Sequence, residues 1–192
     1  MARSKPVRES VEAVVSNGSG ISLDIACGAH KQPGWTGMDI LPLPGVDIIH
    51  DLNSHPWPLP DECANRAMAS HIVEHIPPVA IGPQGTWFPF IEFMNEVWRV
   101  LKFDAEFAIA CPHGYSPGYL QDPTHCNAIN ETTFAYFDPI AFDGFLYSFY
   151  RPKPWAIKLN VLGEPQLFSN PSGNIEAILV KRREDKSYNE GQ

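Results

Sequence analysis

A short apolar run that ends in an acid, two small residues and a glycine is the feature that most constrains this chain, at residues 23–28. A brief apolar stretch bounded by glycine is typical of a buried strand in a parallel sheet, and small residues let the backbone approach a ligand. In open α/β sheets, ligands bind at the carboxyl ends of the strands. The run therefore predicts the first strand and the ligand loop of an α/β domain.

Two further acids follow the next apolar stretches. Asp39 lies eleven positions after Gly28, within the run 35–40, and Asp51 directly follows the run 46–50. Parallel strands would bring both carboxylates to the edge that carries the first loop, where Asp39 suits the two hydroxyls of a ribose. A dinucleotide-binding fold would show Gly-x-Gly-x-x-Gly and an acid about 20 residues later. The chain has neither, which argues against a nicotinamide cofactor.

The link between the first two predicted strands is unusually short. Only seven positions separate Gly28 from Trp35, whereas a crossover between parallel strands normally needs a dozen or more residues. We therefore expect the first crossover helix to be missing or reduced to a turn.

Several motifs in this order and spacing resemble the class I S-adenosylmethionine-dependent methyltransferases, especially a small bacterial and phage-type, type 11-like branch. The resemblance spans about residues 20–137 and is carried by the segments 23–28, 34–40, 50–53, 56–61, 70–76, 93–102 and 121–125. Two positions depart from the family. Ala26 stands where glycine is usual, and Phe103-Asp104-Ala105 stands where Pro-Gly-Gly is usual.

The resemblance implies a Rossmann-like α/β fold, with a mostly parallel sheet, helices on both faces and an antiparallel last strand. It implies methyl transfer from S-adenosylmethionine to a small-molecule, sugar or nucleotide-type acceptor. Ser70 and His71 would flank the reactive sulfonium, and Asp51 with Leu52 would hold the adenine. The implied cofactor-binding residues are Asp24, Ala26, Cys27, Gly28, Asp39, Ile40, Asp51, Leu52, Ser70 and His71. The alternative from another class is a non-catalytic module that binds the cofactor.

Residues 71–75 spell His-x-x-Glu-His, a motif that also occurs in some zinc peptidases. That chemistry needs both histidines on one face of a stable helix and a further ligand from elsewhere. Pro77 and Pro78 close the segment almost at once, and the preceding residues indicate a strand. A zinc hydrolase is therefore the less favoured alternative, and no metal site is expected. Glu74 and His75 are expected either to contact the acceptor or to form a hydrogen-bonded pair that fixes the turn.

A second polar group lies at residues 122–125, after the predicted fifth strand. Methyl transfer is an in-line displacement in which the enzyme mainly holds acceptor and methyl in contact and excludes water. A base is useful only if the acceptor carries a proton, and His71 and His125 are the catalytic candidates. A structural hydrogen-bonding role for His125 is the alternative. The predicted acceptor-binding residues are Glu74, His75, His113, Asp122 and His125.

Composition favours one domain at residues 1–183, followed by a flexible polar tail at 184–192. The formal net charge is −8, so extended duplex nucleic acid is not an expected partner. No run approaches the 18 apolar residues that a membrane span needs, and four scattered cysteines suit a reducing cytoplasm. A proline-rich insertion at 77–89 either covers the pocket or forms a rigid surface loop.

The periodicity of apolar residues predicts the remaining elements. Helices are expected at 7–15 and 90–101, with a short one that opens near 130–133. Strands are expected at 21–27, 35–40, 46–50, 65–71, 107–111, 155–161 and 175–181.

Overall fold

A computed structural model describes residues 20–83, 85–140, 150 and 152–183. Its strands are β1 (Ile21–Ile25), β2 (Thr36–Asp39), β3 (Ile48–Ile49), β4 (Ala64–Ser70), β5 (Ala80–Gly82), β6 (Gly85–Trp87), β7 (Leu101–Pro112), β8 (Trp155–Ile157), β9 (Leu167–Ser169) and β10 (Asn174–Lys181). Its helices are α1 (Pro89–Val100), α2 (Pro117–Leu120) and α3 (Glu131–Ala135), with a 3₁₀ turn at Val73–His75.

Eight of these strands form one mixed sheet. Its order is β3-β2-β1-β4-β7-β10-β8, and β9 also pairs with β10. The five strands from β3 to β7 along this path are parallel, whereas β10 runs antiparallel to β7, β8 and β9. The predicted Rossmann-like sheet with an antiparallel last strand is confirmed.

Burial of the strands explains their sequences. Leu23 and Ile25 in β1 are fully buried, as expected where a parallel strand is covered on both faces. In β10 burial alternates instead, with Ile175, Ala177 and Leu179 facing the core, because an antiparallel strand can face water on one side.

The long helix α1 begins at Pro89, a position where proline's missing N–H costs no hydrogen bond. Its buried face includes Phe93, whose ring lies 5.7 Å from the Trp57 ring and 6.3 Å from the Phe107 ring. The helix therefore joins the segment after β3 to strand β7. The helix predicted at 7–15 and the tail at 184–192 lie outside the described residues.

The expected loss of the first crossover helix is confirmed, since residues 26–35 form turns and irregular backbone, without a helix, between β1 and β2. Ala26 adopts a left-handed backbone with φ +55°, beside Gly28 at φ +53°. Alanine thus occupies a conformation that favours glycine.

The predicted start of the fifth strand at residue 107 is wrong, because β7 begins at Leu101. The pairing with β4 is irregular there: Ala64 pairs with Leu101, but Arg66 pairs with Glu106. Strand β7 therefore carries extra residues at this irregularity, and one of them, Asp104, takes a left-handed φ of +60°. Aspartate tolerates this conformation better than most residues, which explains how the chain turns without the usual glycines.

One other strand prediction needs correction, and the structure adds elements that the sequence did not predict. The strand expected at 155–161 ends at Ile157, followed by an isolated bridge between Leu159 and Pro165. The strand β9 and the helix α2 were not predicted. The insertion at 77–89 contains the antiparallel hairpin β5–β6, whose strands of three residues are too short to show a periodicity.

Among the described residues, no helix has the length and apolar character that crossing a membrane requires.

Candidate functional site

The carboxylate of Asp39 connects the ends of β1 and β2. Its two oxygens each accept one backbone N–H bond, from Gly28 at 2.9 Å and from Leu41 at 2.9 Å. Asp39 is only 9% exposed. Each carboxylate oxygen has a second lone-pair direction, so Asp39 can shape the loop and still accept bonds from a ligand.

The first acid, Asp24, fastens the far side of the same loop. Its Oδ2 accepts the N–H of Gln32 at 2.8 Å, and the residue is 4% exposed. Burial raises the pKa of Asp24 above its ordinary value of 3.8, although the Gln32 N–H and the charge of Lys31 act in the opposite direction. Burial likewise raises the pKa of the Cys27 thiol to about 11, with Asp24 and Asp39 adding to the effect. Cys27 is therefore a neutral thiol at pH 7.

Replacing Asp24 by asparagine is expected to leave stability at pH 7 unchanged or higher, by up to about 1 kcal/mol. The carbonyl oxygen of asparagine can still accept the Gln32 N–H, and no buried charge remains. Because the folded pKa of Asp24 is raised, the wild type binds its proton more readily when folded, and this contribution is present at low pH and lost as pH rises through that pKa. Urea unfolding from pH 7 to below pH 3.8 should therefore show the variant's advantage shrinking towards zero.

Asp122 provides a control, because its pKa is shifted in the direction opposite to that of Asp24. Hydrogen bonds from the side chain and backbone of Thr124 lower the pKa of Asp122. Its stabilising contribution is therefore present at neutral pH and lost as pH falls, so Asp122→Asn should be less stable than the wild type at pH 7 and approach it in acid. Identical pH profiles for the two variants would contradict these assignments.

Asp47 is a loop-forming acid that sequence analysis missed. It accepts the Gly37 N–H at 2.8 Å and the Lys31 ammonium at 2.7 Å, from partners 10 and 16 residues away. A side chain at Gly37 would place its Cβ 2.6 Å from Cys27 Sγ, so this glycine lets the loop pack closely on β2. The available signal is an acid directly before β3, but nothing local indicates its partners.

Asp51 and Leu52 follow β3, as predicted. Asp51 Oδ1 accepts the N–H of Asn53 at 2.9 Å and also its side-chain amide, which closes a tight turn. Leu52 packs against the core, and its carbonyl accepts the indole N–H of Trp57. Near Asp39, Ile40 is 59% exposed and leaves an apolar surface at the sheet edge.

At the end of β4, the chain turns sharply at His71. This residue has a left-handed φ of +55°, and its N–H donates to the Ala110 carbonyl on β7 at 2.8 Å. Non-glycine residues in this conformation cost of order 1–3 kcal/mol and cluster at functional sites. The side chain is 53% exposed, and the preceding Ser70 is also exposed. Both predicted transfer-site residues thus lie open at the carboxyl end of the central strand.

The segment 122–127 packs directly on the 3₁₀ turn at Val73–His75. The backbone carbonyl of Glu74 accepts the N–H groups of Cys126 and Asn127 at 2.9 and 3.1 Å. The Asn127 side chain donates to the Val73 carbonyl at 3.2 Å. The two polar groups that the sequence places about 50 residues apart are therefore one cluster.

The hydrogen bonds in this cluster determine which ring nitrogens carry protons. Thr124 Oγ1 donates to Asp122 at 2.6 Å, so it accepts from His75 Nδ1 at 3.0 Å. His125 Nδ1 lies 2.8 Å from the Tyr119 carbonyl, which can only accept. Both histidines are therefore assigned as Nδ1–H tautomers, with the lone pair on Nε2.

Glu74 is the least expected member of the cluster. Its side chain is fully buried, and neither carboxylate oxygen has a hydrogen-bond partner among the described residues. The alternative in which Glu74 and His75 form a hydrogen-bonded pair is therefore wrong. Instead, one carboxylate oxygen and one ring nitrogen each from His75 and His125 lie within 4.8 Å of one another.

His113, another predicted acceptor-binding residue, has different neighbours. It follows β7 and is 1% exposed. Its Nδ1 accepts the Tyr115 N–H at 3.1 Å, and its Nε2 lies 3.5 Å from Glu131 Oε2. These contacts give His113 a position between β7 and α3.

An apolar cavity of about 680 Å³ adjoins Asn127. The insertion, expected either to cover the pocket or to form a rigid surface loop, contributes Pro78, Val79 and Phe88 to its wall, and α3 contributes polar groups such as that of Thr132. Phe88 also packs against Tyr150 in a tilted arrangement, with ring centroids 4.3 Å apart. The insertion thus forms one side of a space large enough for a small molecule.

No protein-family model matches the chain, and no curated protein matches its sequence. Among solved structures, it is similar to a SAM-dependent methyltransferase from Archaeoglobus fulgidus, with 20% identity, a TM-score of 0.52 and coverage of 91% of this chain and 94% of that one. The YcgJ protein of Bacillus subtilis is 16% identical, with a TM-score of 0.50 and coverage of 92% and 99%. A variant 16S rRNA (adenine(1408)-N(1))-methyltransferase with cosubstrate SAM, from Catenulisporales acidiphilia, is 13% identical, with a TM-score of 0.52 and coverage of 95% and 94%. At these identities the similarity establishes a shared fold.

Proposed function

We propose that this chain, which has the fold of S-adenosylmethionine-dependent methyltransferases, transfers a methyl group from S-adenosylmethionine to a small-molecule, sugar or nucleotide-sized acceptor. The observation that carries the proposal is the loop 26–35, whose backbone N–H groups donate to Asp24 and Asp39 at the carboxyl ends of β1 and β2. Ligands of open α/β sheets bind at this edge.

The residues at this edge fit the cofactor. A Cβ at Gly28 would meet no atom within 4 Å, so there is space above the loop for the methionine part. Asp39 has unused acceptor directions for the ribose hydroxyls, and the exposed Ile40 can pack on the flat adenine. Asp51 and Leu52 would border the adenine from β3.

Ser70 and His71 would flank the transfer centre, since they end the central strand β4 beside the loop. The cofactor supplies an electrophilic methyl on a positively charged sulfur, so the protein's task is to align the acceptor and exclude water. The lone pair on His125 Nε2 and the exposed imidazole of His71 are the groups suited to remove a proton from the acceptor. The cavity lined by Val79 and Phe88 is our candidate for the rest of the acceptor.

Calorimetry should show that S-adenosylmethionine or its demethylated product binds with a dissociation constant of about micromolar order, a range common for enzyme substrates. NAD should not bind, because the chain lacks the glycine pattern and the distant acid of dinucleotide sites. Turnover is then measured with a panel of small acceptors. Cofactor binding without transfer to any acceptor would favour the non-catalytic module, and saturation by NAD would overturn the cofactor assignment.

A further inference from the structure

We propose that Glu74, His75 and His125 bind a divalent transition-metal cation beside the transfer centre. One potential ligand atom of each residue lies within 4.8 Å of the other two. Two imidazoles and a carboxylate form a common ligand set for zinc and other first-row divalent ions. Ligand atoms about 2.1 Å from one zinc ion are at most about 4.2 Å apart, so side-chain shifts of about an ångström complete the site.

The state of Glu74 points to a missing partner. A fully buried carboxylate without hydrogen bonds is costly, and such groups are normally paired or coordinate metals. The contact nearest to an ion pair is His71 Nδ1, 3.4 Å from Oε1, but that imidazole is half exposed and its charge would be partly screened by water. A cation between Glu74 and the two other histidines would neutralise the buried charge directly.

The surroundings of the two histidines suit metal ligation. A ligating histidine usually donates its other ring N–H to a carboxylate, a carbonyl or water, which fixes the tautomer. His125 Nδ1 donates to the Tyr119 carbonyl, and His75 Nδ1 donates to Thr124, which itself donates to Asp122. In these tautomers the Nε2 lone pairs are the ones left for a metal, and Asp122 Oδ2, 3.7 Å from His125 Nε2, would add a further negative charge near the cation.

This site differs from the zinc-peptidase hypothesis considered for the motif at residues 71–75. There the two motif histidines would share an ion, and the expectation of no metal depended on their geometry. Here the second histidine is His125, and His71 lies outside the ligand set. The turn at Val73–His75 separates His71 from His75, so the second histidine of the ligand set is His125 and not His71.

The position of the site suggests the acceptor class, and this step rests on the proposed function. Three protein ligands leave coordination positions open for the acceptor. A bound cation would lower the pKa of a hydroxyl that contacts it, and an alcohol or phenol would then lose its proton to His71, because His125 would serve as a metal ligand and not as the base. The acceptor oxygen would form the bond to the methyl carbon while the carbon–sulfur bond breaks, and the cofactor would leave as a neutral thioether. We therefore infer a hydroxyl-bearing acceptor.

The metal site is tested on the full chain, purified without a metal-binding tag and stripped with a chelator. Calorimetry with zinc chloride should show one zinc ion per chain, and cobalt(II) should give the visible absorption of a nitrogen- and oxygen-ligated ion. Magnesium should bind much more weakly, because imidazoles suit transition metals. No stoichiometric zinc, or tighter binding of magnesium than of zinc, would overturn the proposal.

Two variants change proposed ligands, a third changes an outer partner, and a fourth is a control. Glu74→Gln and His125→Ala should weaken zinc binding by roughly 100-fold or more, beyond the roughly 10- to 100-fold effect of outer partners expected for Thr124→Val. His55→Ala, at a histidine that instead lies 3.7 Å from Glu92, should bind zinc as the wild type does. Glu74→Gln removes a buried charge and should fold at least as well without metal, so it carries the test if His125→Ala unfolds. Unchanged zinc affinity in Glu74→Gln would place the ion elsewhere.

Cofactor calorimetry separates this proposal from the proposed function. Zinc binding without binding of the demethylated cofactor would refute the methyltransferase function and keep the metal site. Cofactor binding without zinc binding would refute the metal site and keep the methyltransferase function. If both bind, chelation should reduce methyl transfer to hydroxyl acceptors, and transfer that resists chelation would refute the inferred acceptor class.

Discussion

Replacing Asp39 by alanine is expected to weaken binding of S-adenosylmethionine and its demethylated product by about 2.8 kcal/mol, or roughly 100-fold. The change removes the charged acceptor proposed for the ribose hydroxyls. It also leaves the N–H groups of Gly28 and Leu41 without their partner, so the loop that carries the methionine part loses its attachment to β2. Calorimetry with the demethylated product measures the affinity without turnover.

Asp47→Ala is the matched control for this effect. Asp47 also fastens the first loop to β2, through Lys31 and Gly37, but it has no proposed contact with the cofactor. We expect a loss of stability of about 1 kcal/mol and less than about 5-fold loss of affinity. Equal losses of affinity in both variants would mean that Asp39 acts only by ordering the loop, and unchanged affinity in Asp39→Ala would remove it from the site.

Replacing Arg99 by alanine is expected to lower the free energy of unfolding by about 3 kcal/mol. Arg99 lies on α1 and donates to the carbonyls of Trp57 and Leu59 as well as to Glu96. Without it, Glu96 retains a charge that is largely shielded from water but loses its cationic partner. Urea unfolding at pH 7 measures the effect as a lower midpoint with an unchanged slope.

Asp61→Asn tests how much of the stabilisation by Arg99 comes from its exposed ion pair and how much from its partly buried contacts. The Asp61 side chain is 75% exposed and lies 2.7 Å from Arg99. Exposed ion pairs contribute about 0–1 kcal/mol, so this variant should lose less than about 1 kcal/mol. A loss as large as that of Arg99→Ala would mean that the stabilisation comes from the surface pair and not from the carbonyls and Glu96.

The contacts of Arg99 also show which interactions the local pattern of apolar and polar residues cannot predict. The apolar spacing of α1 predicted its length to within one residue at each end, because helix periodicity is a property of neighbouring residues. The two carbonyls that Arg99 contacts, those of Leu59 and Trp57, lie about 40 residues earlier in the chain, and no spacing rule connects them to Arg99. The same limit applies to Asp47 and its contacts with the loop after β1.

Residue order and apolar patterning were sufficient to infer the parallel sheet, the shortened first crossover and the acids at the strand ends, whereas the antiparallel last strand was implied by the family resemblance. The features inferred from patterning follow from short apolar runs and from the number of residues between them, both of which can be read from neighbouring positions in the sequence. The hydrogen-bond partners of each acid could be identified only in the folded chain. Asp39 and Asp24 accept hydrogen bonds from backbone N–H groups of the loop, and no motif specifies these contacts. The cluster around Glu74 likewise arises only because residues 122–127 pack on the turn after β4. Folding brings His125 to Glu74 and His75, and it buries the carboxylate without a hydrogen-bond partner among the described residues.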